Sequence, residues 1–164
     1  MLTEVTQPPR GARLLARALV VDRPREEVFR FFASADNLGV ITPPELHFEI
    51  TTAPPIEMKE GTRIDYRIRL YGIPMTWRTL IDRWDPPYLF QDTQLQGPYR
   101  TWIHRHEFHD LGEATRVVDR VWYRLPALGP LNAMVHPLVR KQLDQIFDYR
   151  ADAVRQVFSG ANQS

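Results

Sequence analysis

Residues 115–158 read TRVVDRVWYRLPALGPLNAMVHPLVRKQLDQIFDYRADAVRQVF, and the period of the apolar positions changes inside this stretch. Before Pro126 the period is two. Thr115, Val117, Asp119, Val121, Tyr123 and Leu125 share one face, against Arg116, Val118, Arg120, Trp122 and Arg124, the pattern of a strand with one buried side. After Pro126 it lengthens to that of a helix. Leu131, Met134, Val135, Leu138, Val139, Leu143, Ile146, Phe147, Val154 and Val157 form an apolar stripe, with Asp144, Asp148 and Asp152 opposite. Pro137 either starts this helix or kinks it, and Gly160 suits its end. Between Pro137 and Phe158 the helix spans about 33 Å at about 1.5 Å per residue, enough to cross a sheet.

Upstream of this stretch the period is two almost throughout. Residues 99–109 alternate and lead into 115–125 through a turn at Leu111-Gly112. Ile64, Tyr66, Ile68 and Leu70 face one way and Arg63, Asp65, Arg67 and Arg69 the other; Met75, Trp77, Thr79 and Ile81 continue the pattern after a turn at 72–74. Residues 88–95 make a weaker strand whose inward face is ambiguous. Leu46, Phe48 and Ile50 alternate as a short strand, and 13–22 reads as the first. Between those two, Pro24 suits a first helical position, with Glu26 and Glu27 in the opening turn and Val28, Phe31, Phe32 and Ala35 on one face. Residues 34–41 add a second short helix before Thr42-Pro43-Pro44. Pairs of prolines also punctuate the chain at 54–55 and 86–87. Residues 53–61 read either as an entrance lid or as an ordinary connection.

The reading is thus an α+β fold. One strand is followed by two short helices, then by further antiparallel strands to about seven in all, and a long C-terminal helix covers the apolar face of the curved sheet. A cavity between helix and sheet follows unless side chains fill it. The chain of 164 residues reads as one domain over 1–164, with flexible ends at 1–12 and 159–164.

Composition narrows the function. A net charge of +1 disfavours a dedicated nucleic-acid binder. The absence of Cys removes disulfides and thiolate chemistry and fits a reducing cytoplasm. The apolar run 14–21 is short and interrupted by Arg17, so no stable membrane insertion is expected. Oligomeric state is not legible.

One cluster carries chemistry. Alternation puts Trp102, His104, His106 and Phe108 on the face shared by Val117, Asp119, Val121 and Tyr123. A four-residue connection at 111–114 sets His106 opposite Asp119 and Trp102 opposite Tyr123; a two-residue connection sets His104 opposite Asp119. Directly opposed side chains stand about 5 Å apart at Cβ. His104, His106 and Asp119 are therefore catalytic candidates, an acid/base set in which the carboxylate orients an imidazole. Polar ligand recognition and a self-satisfied buried cluster are the alternatives. A metal reading, with two imidazoles and a carboxylate as ligands, is weaker because H-x-H alone is a weak motif; no metal or cofactor is assigned. Tyr66, Trp77, Trp102, Phe108, Tyr123, Leu143 and Phe147 are the candidate ligand-binding residues.

The stretch Val21-Asp22-Arg23-Pro24-Arg25-Glu26-Glu27-Val28-Phe29, residues 38–44, residues 97–108, the pattern Thr115-Arg116-Val117-Val118-Asp119-Arg120-Val121 and the amphipathic final helix together resemble the START-like (SRPBCC) superfamily, across residues 16–158. The likeness is to small bacterial stand-alone ligand-binding members and polyketide-cyclase-like proteins. It implies a helix-grip fold with an apolar pocket, and a small hydrophobic or amphipathic ligand: a lipid, polyketide, terpenoid or aromatic molecule. It also admits an enzyme such as a cyclase, dehydratase or hydrolase. It does not choose among these, because the fold hosts carriers, receptors and enzymes.

Overall fold

The computed structural model describes residues 9–160. Of the ends expected to be flexible, 1–8 and 161–164 lie outside the described residues. Residues 9–12 form a turn in which Ala12 N donates to Pro9 O, and Ser159 and Gly160 complete the last helix.

The sheet has seven strands in the order β1-β7-β6-β5-β4-β3-β2. They are β1 (Arg13–Val21), β2 (Glu49–Ile50), β3 (Arg63–Leu70), β4 (Ile73–Asp85), β5 (Leu89–Gln96), β6 (Thr101–Asp110) and β7 (Thr115–Arg124), and every neighbouring pair is antiparallel. Strands β3 to β7 run as a meander because short turns join them. β1 and β2 are the two edges, and the chain crosses between them through α1 (Arg25–Phe32) and two 3-10 turns, Ala35–Asn37 and Pro44–Leu46. α2 (Asn132–Gly160) packs Leu143, Phe147, Val154 and Phe158 against the inner face.

Several local expectations change. The second short helix shrinks to a single 3-10 turn, and the strand expected from Leu46 keeps only two residues, since Leu46 ends a 3-10 turn and His47 is left-handed (φ 45°). In α1 the buried aromatics are Phe29 and Phe32, and Phe31 is only partly covered. The turn after β3 lies at Tyr71-Gly72, both left-handed (φ 51° and 77°), the geometry of a two-residue hairpin matched to strand twist; Ile73 and Pro74 therefore begin β4. α2 starts at Asn132, so Pro137 lies inside it. Leu131, Met134 and Leu138, members of the expected stripe, are exposed, whereas Val139 packs against the second apolar cluster and His136 meets Tyr123.

The register of β6 on β7 is that of the four-residue connection: Trp102 opposes Tyr123 and His106 opposes Asp119. β5 begins one residue later than expected. It sets Asp92 opposite His104 and Phe90 opposite His106. Plain alternation points Trp77, Thr79 and Ile81 of β4 inward, and the register shift between Ile81 and Arg83 then brings Trp84, not Arg83, to the core.

The interior has two apolar clusters. One surrounds α1 and includes Phe29, Phe32, Phe90, Phe108, Val117 and Val154. The other lies towards the middle of α2 and includes Ile68, Trp77, Tyr99, Tyr123, Leu143 and Phe147. Among the described residues no helix is long and apolar enough to cross a membrane.

Candidate functional site

His104 and His106 join the two clusters. Strand alternation puts both imidazoles on the inner face of β6, and their ring centroids stand 3.9 Å apart. His106 stacks on Phe90 (4.3 Å, 28°), in the first cluster; His104 meets Phe147 edge-on (5.5 Å), in the second. Both are buried. Asp119, on β7 behind them, serves both rings with one oxygen. His104 Nε2 donates to Asp119 Oδ1 (3.1 Å), and His106 Nδ1 lies 2.7 Å from the same atom, without its ring N–H in line.

In front of the rings lies a cavity of about 140 Å³ between the sheet and α2. Tyr66, Trp77, Trp102, Leu143 and Phe147 line it, as do His104 and His106. The aromatics are ordered among themselves: Tyr66 stacks on Trp77 (5.7 Å, 16°) and Trp102 meets Trp77 edge-on (5.2 Å, 86°). Three expected site residues are not in the lining. Asp119 is screened from the cavity by the histidines. Phe108 packs within the first cluster against Phe29 (5.2 Å) and Phe32 (5.5 Å), because β6 carries it past the end of the cavity. Tyr123 is fully buried, and its hydroxyl shares a hydrogen bond with His136 of α2 (3.2 Å).

Further residues belong to the lining, among them Asp92, Arg150 and Tyr99. Asp92 on β5 holds its carboxyl beside both imidazoles. Its Oδ1 accepts from Thr79 Oγ1 (3.0 Å), while Oδ2 lies 3.8 Å from His104 Nδ1 and 3.9 Å from His106 Nε2. Arg150 on α2 also reaches the lining, with its guanidinium 5.1 Å from the Phe147 ring and its Nε buried without a hydrogen-bond partner. The sequence signal for Arg150 is its spacing of three from Phe147 and four from Ile146, on the apolar stripe. Tyr99 precedes β6, so the strand's alternation does not reach it, and it turns inward to the cavity.

The electrostatics follow from burial and from this shared geometry. Burial pushes the Asp92 carboxyl up to about 6, against the pull of His106 and the Thr79 hydrogen bond. Burial, reinforced by the neighbouring His106, pushes His104 down to about 3, against its Asp119 bond. Burial opposes ionisation of Asp119 as well, but the neighbouring His106 and the hydrogen bond from His104 outweigh it and hold this carboxyl well below the usual range. Two carboxyls around one pair of imidazoles are thus driven in opposite directions, an arrangement suited to holding or moving a proton. Asp92, His104 and His106 also offer one metal-ligating atom each, all within 4.8 Å of one another.

No protein-family model matches the chain, and no curated protein sequence is similar to it. Solved structures do match. The Zhui aromatase/cyclase from Streptomyces superposes with a TM-score of 0.75 at 16% identity, over 93% of this chain and 97% of that one. A START superfamily protein from Mycobacterium smegmatis gives 0.70 at 13%, over 92% and 99%. A point mutant of norcoclaurine synthase from Thalictrum, in complex with a transition-state analogue, gives 0.69 at 13%, over 93% and 97%. At these identities the agreement is one of fold, and it runs nearly end to end in both members of each pair. With the edge-to-edge crossover through α1, the five-strand meander and the helix laid on its inner face, the chain has the START-like (SRPBCC) helix-grip fold.

Proposed function

We propose that the protein binds a small, mainly apolar molecule bearing one or more oxygens, with its body among Trp77, Trp102, Leu143 and Phe147 and its oxygen at Asp92, His104 and His106. The carrying observation is the cavity itself: about 140 Å³, walled by aromatic and aliphatic side chains, with one cluster of buried polar groups on its wall, the usual form of a small-molecule site. An apolar cavity of roughly 150 Å³ accepts a benzene ring, so the size favours a ring system or the end of a chain over a whole lipid. Aromatic, terpenoid and polyketide fragments fit this description. The fold likeness to a cyclase and to a synthase supports the reading without naming the ligand.

Thermal unfolding with a panel of phenols, cyclic ketones and medium-chain acids tests the proposal. A guest at about one hundred times its dissociation constant adds roughly 2.7 kcal/mol to the folded state. A panel that leaves the melting temperature unmoved contradicts it.

A second reading, acid/base catalysis by a cyclase, dehydratase or hydrolase, draws on one observation. Each imidazole contacts Asp119 with one nitrogen and turns the other towards Asp92 and the cavity. His104→Gln separates the two readings: a carrier loses affinity modestly, whereas an enzyme keeps binding and loses turnover.

A further inference from the structure

We propose that Asp92, His104 and His106 form a site for one divalent transition-metal ion, with Asp119 and Thr79 orienting its ligands and open coordination positions facing the cavity. The proposal goes beyond the ligand reading and does not depend on it.

The geometry points there in three steps. Each imidazole has one nitrogen occupied by Asp119 and one left over. The two remaining atoms, His104 Nδ1 and His106 Nε2, converge on a single oxygen, Asp92 Oδ2, at 3.8 and 3.9 Å. These separations are too long for hydrogen bonds. Among the described residues none of the three atoms has a hydrogen-bond partner. Two ligands bonded at about 2.1 Å to a tetrahedral ion stand about 3.4 Å apart; the two imidazole–carboxylate separations are close to that, and all three ligating atoms lie within 4.8 Å of one another.

The second step is the support behind the ligands. A metal-bound imidazole ordinarily donates its other N–H to a carboxylate, and a ligating carboxylate is itself hydrogen-bonded. Here Asp119 stands behind both rings, and Thr79 Oγ1 donates to the Asp92 oxygen that faces away from the imidazoles. A cluster that only satisfied its own polar atoms would pair Asp92 Oδ2 with one of the rings.

The third step is charge and donor chemistry. Two carboxylates, one ligating and one behind the ligands, offer a divalent ion two negative charges in a buried place, beside the one positive charge of Arg150 in the lining. Two imidazoles and one carboxylate suit Zn²⁺, Fe²⁺ or Co²⁺. The three ligands come from β5 and β6, so α2 and the cavity lie on the open side, where an oxygen of a bound molecule or a water completes the shell.

The test uses the full chain stripped with a chelator and titrated with Co²⁺ alone, with no organic guest, following visible d–d absorption; Zn²⁺ is then measured by competition against a chromophoric chelator. The expected result is one equivalent bound at micromolar concentration or tighter. Asp92→Asn and His106→Gln each abolish the d–d bands, and Asp119→Asn weakens binding by about 10- to 100-fold. Circular dichroism melts in chelator establish that each variant folds; if His106→Gln does not, His104→Gln takes its place. The proposal is overturned if the wild type takes up no stoichiometric Co²⁺ or Zn²⁺, or if Asp92→Asn binds as the wild type does, which would assign the ion to surface groups such as His109 and Glu107. With metal as the sole probe, either failure leaves the guest reading standing, and failure of the guest panel leaves this one.

Discussion

Around α1, Phe29 meets Trp84, Phe90 and Phe108 edge-on at 5.5, 5.9 and 5.2 Å, and Val28 and Val154 have no exposed surface. On the other side of the two histidines, Tyr66, Trp77, Tyr99 and Trp102 lie in contact just as close, yet they leave about 140 Å³ between themselves and α2. Both regions are rich in aromatics. In the first, α1 fills the space between sheet and α2. In the second no helix intervenes between the curved sheet and α2, so the two part, and the rings line the gap. Hydrophobic content therefore does not distinguish a packed core from a pocket; the elements available to fill the concavity do.

Truncating one wall in each region should separate them. Phe29→Ala opens a hole in a packed cluster and is expected to cost about 3–5 kcal/mol in urea unfolding while leaving guest binding unchanged. Leu143→Ala removes atoms that already border a void, so it should cost about 2–3 kcal/mol and shift the preferred guest to a larger one. Equal costs, or a guest preference altered by Phe29→Ala, would break the contrast.

The polar group between the regions gives a smaller effect, read as pH dependence in the presence of chelator. Asp92, with its carboxyl raised to about 6, holds its proton more tightly folded than unfolded. It contributes stability at low pH and loses it as the pH rises through about 6. His104, lowered to about 3, gives up its proton on folding, so its contribution rises with pH from about 3 to its ordinary 6.5. The two oppose each other between about pH 4 and 6. Asp92→Asn removes one side of this balance. Stability of the variant should climb with pH more steeply than that of the wild type, by at most about 1.4 kcal/mol per pH unit. Denaturant curves across this range check it, and parallel profiles would contradict the opposing shifts.

The fold was legible because its strongest signals are periodic: the change at Pro126, and alternation in β3, β4, β6 and β7. The inward placement of His104, His106 and Asp119 followed from the same alternation, and only the loop length was needed to choose the register. Asp92 was not legible. Phe90 and Gln91 are both buried, one on each face of β5, so burial does not alternate there and the strand's inner face cannot be read from its residues. Its partnership with His104 exists only through the β5–β6 register. Met134 and Leu138 show the reverse error: an apolar pattern reveals a helix face but not how much of that face is covered. Phe108 and Tyr123 share the inner face with the histidines, yet a face is longer than the cavity on it, and alternation carries no information on where a void begins.

The most direct test of the account is binding of phenol, a one-ring guest of the size the cavity admits, followed by calorimetry, to the wild type and to Ile64→Phe. Ile64 is 1% exposed and forms part of the cavity wall, so a phenyl ring there occupies the space assigned to the guest. The account predicts saturable binding by the wild type and a loss of about tenfold or more, near 1.4 kcal/mol, in a variant that still folds. Equal binding by both proteins, or none by the wild type, would contradict the claim that the gap between sheet and helix is the binding site.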